Sequence, residues 1–141
     1  VMTIKEANGI IAVRMHDGDS FTECVKAVAK DCGVNSAVLH GIGLFKNVEL
    51  GYFNGHEYVT KSFYQQLMEV ISLEGNISLA ENGEDIVVHA HCALGLPDYS
   101  VIGGHLMEGT FFNGEVFIQK LEGIRLVRRS EPSGLNGLWV E

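Results

Sequence analysis

The sequence has two prolines, three cysteines and ten Lys+Arg among its 141 residues, and each shortage excludes something. So few prolines leave little room for rigid linkers. Cys24, Cys32 and Cys92 form no CxxC pair. Cys24 and Cys32 fall in a predicted helix that sets them about 12 Å apart, beyond disulfide reach. An odd, unpaired set in a chain with no basic-then-apolar leader fits a reducing cytoplasm. No run of about 18 apolar residues occurs, so no membrane span is expected. Against eighteen Asp+Glu, the basic residues leave a net charge of −8. A protein that binds the phosphate backbone normally releases counterions with a basic surface, so direct nucleic-acid binding is not expected. The basic cluster Arg125, Arg128 and Arg129 reads as a solvated strand or tail.

What is present points to one strand-rich domain. Hydrophobic residues make up 46% of the chain and glycines number seventeen; a domain of this length buries roughly 68–70% of its unfolded surface without needing a metal to fold. Ser20 and Glu23 have capping-box spacing, and Phe21, Val25, Val28, Ala29 and Cys32 recur at helical intervals. Gly33 follows where a left-handed C′ residue is wanted. The period then changes to two, predicting strands over residues 36–44, 48–53, 57–64, 68–79, 86–94, 101–112, 115–121 and 124–129, after a first strand over 8–15. Asn54-Gly55 and Asn113-Gly114 read as hairpin turns, and Gly75-Asn76 as a bulge or bend. The expected architecture is α+β, one main helix against a mostly antiparallel sheet. The domain spans residues 1–129; residues 130–141, with the single Trp139, form a tail that frays or clasps a neighbouring subunit.

Chemistry concentrates in three of the six histidines. His89 and His91 stand two apart, so on a strand both leave the same face. A hairpin turn centred on Asp98 sets His91 opposite His105, with Cβ atoms about 4.5–5.5 Å apart. Three imidazoles on one face can converge on a single divalent ion, with zinc the leading expectation and nickel and iron equally suited to imidazole. The fourth position stays open, as in catalytic zinc sites. Strand parity turns Glu108 away from His105 and Cys92 away from His91, while Asp98 and Tyr99 fall where they can rim the site. His16, His40 and His56 stand in other contexts and read as ordinary surface or core residues. The pattern also resembles the cupin motif, but cupins carry a glutamate where this chain has Gly95.

Five ordered segments carry a wider resemblance: Gly41-Ile42-Gly43, Leu50-Gly51-Tyr52-Phe53, residues 69–78, His89-Ala90-His91, and residues 103–109. Together, from about Arg14 to Gly123, they resemble the PPC domain (plants and prokaryotes conserved), in its stand-alone prokaryotic form. The resemblance implies a homotrimer and a metal site, of zinc type, at the positions of His89, His91 and His105, with one ion per subunit. Plant members bind A·T-rich DNA through an appended AT-hook with an Arg-Gly-Arg-Pro core. No such core occurs here, so that activity does not carry over. Two readings follow: a soluble metal-binding trimer whose metal is functional, or a trimeric interaction module that recruits regulatory or DNA-bound partners around a structural metal. Neither names a substrate.

Overall fold

The structure, a computed structural model, describes residues 2–141. It holds eight strands and one helix: β1 (Thr3–Ala7), β2 (Ile10–Met15), α1 (Phe21–Asp31), β3 (Ala37–Phe53), β4 (Tyr58–Leu79), β5 (Ile86–Gly95), β6 (Val101–Lys120), β7 (Leu126–Ser130) and β8 (Asn136–Val140). The α+β reading holds. All pairings are antiparallel except a single parallel bridge between β4 and β7. The strands run in the order β1-β2-β6-β3-β4-β7-β8, and β5 pairs with both β4 and β6. Strands β3, β4, β5 and β6 therefore close a circuit of pairings around a core that includes Phe45, Met68, Leu73, Leu94, Phe111 and Ile118, all fully buried.

Several predicted breaks are not breaks. Residues 36–44 and 48–53 belong to one long β3, which absorbs its irregularities as bulges at Gly41/Gly43 and Phe45/Asn47. Residues 57–64 and 68–79 likewise join as β4, where Gln65 adopts a φ of 54°. Asn113-Gly114 is no turn: β6 passes straight through it, because Gly114 pairs with Met15 on one side and Gly43 on the other. A Cβ at Gly43 would lie 2.2 Å from the Asn113 carbonyl, so glycine here permits close strand approach rather than reversal. Asn54-Gly55 does turn, between β3 and β4, and a further turn at Asn8-Gly9, at φ 53° and 77°, joins the unpredicted β1 to β2. Gly75-Asn76 is no bulge either, for both sides of β4 stay in register there.

Helix α1 buries Phe21, Val25, Val28 and Ala29 against the sheet, with the Phe21 ring edge-on to Phe111 at 6.3 Å. It ends in a Schellman pattern: Gly33, at φ 66°, donates to the Lys30 carbonyl at 3.3 Å and Val34 donates to the Ala29 carbonyl at 2.8 Å. The start departs from the sequence reading. Ser20 occupies the N-cap position but makes no side-chain capping bond. Instead the Glu108 carboxylate, from β6, accepts the Thr22 N–H at 3.2 Å and the Gly109 N–H at 2.8 Å, placing a negative charge at the positive end of the helix. A cap supplied from 86 residues away leaves no local signature.

Two outcomes follow. Glu108→Ala should cost about 1–2 kcal/mol in urea unfolding, and Ser20→Ala under ~0.5 kcal/mol; equal costs would restore the local capping box. Gly75→Ala should cost about 2–3 kcal/mol, because its Cβ would meet the His89 carbonyl at 2.1 Å and Ala90 at 2.9 Å. A neutral Gly75→Ala would contradict the close approach of β4 and β5.

Candidate metal centre

The register predicted for the hairpin is the one observed. His91 pairs with His105 across β5 and β6, in the run that continues to Gly95–Val101. On its other edge β5 pairs His89 with Asn76 and His91 with Glu74 of β4. Between the histidines Ala90 and Cys92 turn into the core, 2% and 7% exposed, and so does Leu106 beside His105. The apolar residues thus hold the three rings on the opposite face.

There the rings cluster. Their centroids lie 5.0 Å apart for His89 and His91, 4.9 Å for His89 and His105, and 5.4 Å for His91 and His105. One nitrogen from each falls within 4.8 Å of the others. A tetrahedral ion bound at about 2.0–2.1 Å holds its donors about 3.3 Å apart. Small side-chain rotations would therefore close the set around a cation. The donor chemistry fits: His89 is held neutral, its pKa lowered to about 4 by burial first and then by Arg128 and the other two rings. His105 is shifted in the same direction by burial, then His91 and Arg128. Neutral imidazole is the form that binds metal.

Residues absent from the sequence reading complete the surroundings. The Tyr58 hydroxyl lies 3.3 Å from His105 Nδ1, with the two rings 4.8 Å apart. Arg128 donates to His89 Nδ1 at 3.0 Å and to Asn76 Oδ1 at 2.8 Å. Arg128 is thus half-buried beside a candidate ligand and not a solvated tail residue; strand periodicity alone gave no sign of it, since β7 meets β4 at a single bridge. Two clefts flank the rings. One of about 420 Å³ is lined by Tyr58, Ser72, Glu74, His91 and His105. The other, of about 680 Å³, is lined by Tyr58, His89, His105, Arg128 and Asn136.

The residues weighed as helpers lie elsewhere. Glu108 serves the helix, Cys92 is in the core with its thiol pushed up to about 11 by burial, and the Asp98 carboxylate turns back to Ser100 at 2.6 Å. Tyr99 is 94% exposed in the turn. Carboxylates that do line a cleft with the rings are Glu74, opposite His91, in the first cleft and Glu81 and Glu131 in the second. His40 stacks on Phe117 at 5.6 Å, His16 lies 3.2 Å from the Thr3 hydroxyl, and His56 stands in the Asn54 turn.

An antiparallel α+β domain with a three-histidine cluster on its sheet face is thereby defined. A family model, the Plants and Prokaryotes Conserved (PCC) domain, matches residues 2–122, and the chain belongs to that family. It is 34% identical to a plant- and prokaryote-conserved (PPC) protein from Pyrococcus horikoshii, with a TM-score of 0.87 over 100% of this chain and 95% of that one. A metal-containing protein from Archaeoglobus fulgidus is 27% identical, with a TM-score of 0.85 over 100% and 99% of the two chains. A protein from Bacteroides thetaiotaomicron with a provisional DNA-binding designation is 28% identical, with a TM-score of 0.88 over 98% and 96%. No curated protein matches the sequence.

The depressed His89 pKa gives a pH signature. In the metal-free protein the folded-state value lies below the unfolded value of about 6.5, so the unfolded chain takes up the proton first. Stability is then full above about pH 6.5 and falls as the pH drops toward about 4. NMR titration of the metal-free protein should find His89 titrating near pH 4; titration near 6.5 would contradict its burial beside Arg128.

Proposed function

We propose that this chain is a metal-binding homotrimer that takes one divalent ion per subunit, zinc first among candidates, at His89, His91 and His105. The observation that carries this reading is the convergence of three imidazoles on one sheet face, held there by core residues on the other. The relative from Archaeoglobus fulgidus, described as metal-containing, supports it. Three protein nitrogens leave a position for water or a small molecule. A zinc ion there would lower the pKa of bound water toward ~7 and polarise an oxygen ligand. The chain's part is to hold and orient the ring nitrogens, with Tyr58 against His105 and Arg128 against His89.

Self-association has its own support. Ile10, Val38, Ile42 and Phe117, 47%, 39%, 51% and 39% exposed, lie on adjoining strands β2, β3 and β6. In register their side chains leave the same outward side, an apolar patch of the kind that marks an interface. Symmetric closure of a few copies is the usual way to cover one. Three free cysteines suit a reducing cytoplasm, and no helix is long and apolar enough to cross a membrane.

The alternative, an interaction module for DNA-bound partners, draws on the designation of the Bacteroides thetaiotaomicron relative. Direct phosphate-backbone binding has little support in this chain. Arg125 and Arg129 both pair with Glu141, at 2.8 and 2.7 Å, and Arg128 is turned toward His89, so the basic cluster offers no open stripe.

Elemental analysis should find about one metal ion per chain in the wild-type protein, and native mass spectrometry a mass of three chains. His105→Ala should lose most of the metal while remaining a folded trimer. Metal content unchanged in His105→Ala would refute the site. Chelation that lowers the melting temperature, with partner recruitment and no other activity affected, would favour the interaction module.

A further inference from the structure

The three arginines near the C-terminus are treated differently by the fold. Arg125 and Arg129 lie at the surface in ion pairs with Glu141. Arg128 is half-buried, and among the described residues it forms no ion pair. Its acceptors are all uncharged: Asn76 Oδ1 at 2.8 Å, His89 Nδ1 at 3.0 Å and the Asn136 carbonyl at 3.2 Å. Its Nε–H is buried without a partner. Glu81 and Glu131 line the same cleft, yet neither pairs with it. A guanidinium withdrawn from water with no counter-charge is costly, and its fork of donors matches a carboxylate or phosphate better than any other group.

Metal binding sharpens the deficit. A guanidinium only donates, so its contact with His89 requires a bare Nδ1 and a ring proton on Nε2. An ion on Nε2 displaces that proton, and a neutral ring must then carry it on Nδ1, where Arg128 cannot donate. An ion on Nδ1 takes Arg128's place outright. Either way the guanidinium loses an acceptor and gains a nearby dication.

We propose that Arg128 and the ion held by His89, His91 and His105 together form a site for a small oxyanion, a carboxylate or phosphate group carried by a small molecule in the cleft beside β7. This rests on the metal reading above and adds to it the chemistry of the ligand. The oxyanion offers one oxygen to the open metal position and another to Arg128, replacing the acceptor that metal binding removes. The cleft of about 680 Å³ is lined by Tyr58, His89, His105 and Arg128 together, and sites of this size take small molecules. Arg128 acts here as a binding residue, and its surface neighbours Arg125 and Arg129 do not share the role.

Cobalt(II) substitution tests this without assuming any reaction, because the visible spectrum of the bound cobalt changes when an anion enters its coordination sphere. The cobalt-loaded wild-type protein, Arg128→Met and Arg128→Lys are titrated separately with lactate and with inorganic phosphate, after cobalt content has been measured in each. The wild-type spectrum should respond to at least one anion, and the tighter of the two assigns carboxylate or phosphate as the recognised group. Arg128→Met should keep its cobalt and bind that anion at least about tenfold more weakly. Arg128→Lys, which keeps the charge but not the fork, should fall between and covers the case in which Arg128→Met does not fold. Equal anion affinity in the wild-type protein and either folded variant, or a wild-type spectrum indifferent to both anions, overturns the proposal while leaving the metal site standing. Cobalt content in the wild-type protein no higher than in His105→Ala removes the metal reading, and the oxyanion site with it.

Discussion

The register of β5 between β4 and β6 is the constraint on which the site depends. Side chains alternate faces along a strand, so a slip of one residue on either edge would exchange the two faces. His89 and His91 would then enter the core, while Ala90, Cys92 and Leu94, now 2%, 7% and 0% exposed, would meet water. Burying imidazoles among core residues such as Leu73 and Phe111 without partners costs far more than any local gain. Close contacts reinforce the choice: Gly75 against the His89 carbonyl and Gly103 against the Cys92 carbonyl leave no space for a side chain on the facing strands. The histidines are therefore brought together by what the other face buries.

That face alternation is why the cluster is legible in the sequence. The spacing of His89 and His91 and the turn at Asp98 are local features, and together they fix the position opposite His105. The single helix and its Schellman end at Gly33 were legible for the same reason. Features made by distant segments were not. Glu108 caps α1 from another strand, Arg128 reaches His89 from β7, and Tyr58 reaches His105 from the start of β4. Glycine was the other source of error. At Gly75 and Gly114 it serves close packing within continuous strands, and at Gly9 it makes a turn; the residue type alone does not distinguish these uses.

Charge is deployed at two levels. The chain as a whole is acidic, with a net charge of −8, and Arg125 and Arg129 are both paired with Glu141. Arg128 differs from them: it stands beside the histidines with uncharged partners, its own pKa lowered by burial. An acidic surface discourages polyanions, while a local cation beside a metal position suits a small anion. The three-arginine segment that reads in sequence as a solvated strand or tail is divided by the fold: Arg125 and Arg129 pair with Glu141, while Arg128 lines a cleft beside the histidines.

The central claim is that three imidazoles from β5 and β6 hold one cation. A crystal of the protein purified without chelator, with anomalous diffraction recorded on both sides of the zinc absorption edge, tests it most directly. The account predicts one anomalous peak per chain, about 2.0–2.1 Å from a nitrogen of each of His89, His91 and His105. Rings that diverge around water alone in metal-replete crystals, or a peak seated on other residues, would contradict it.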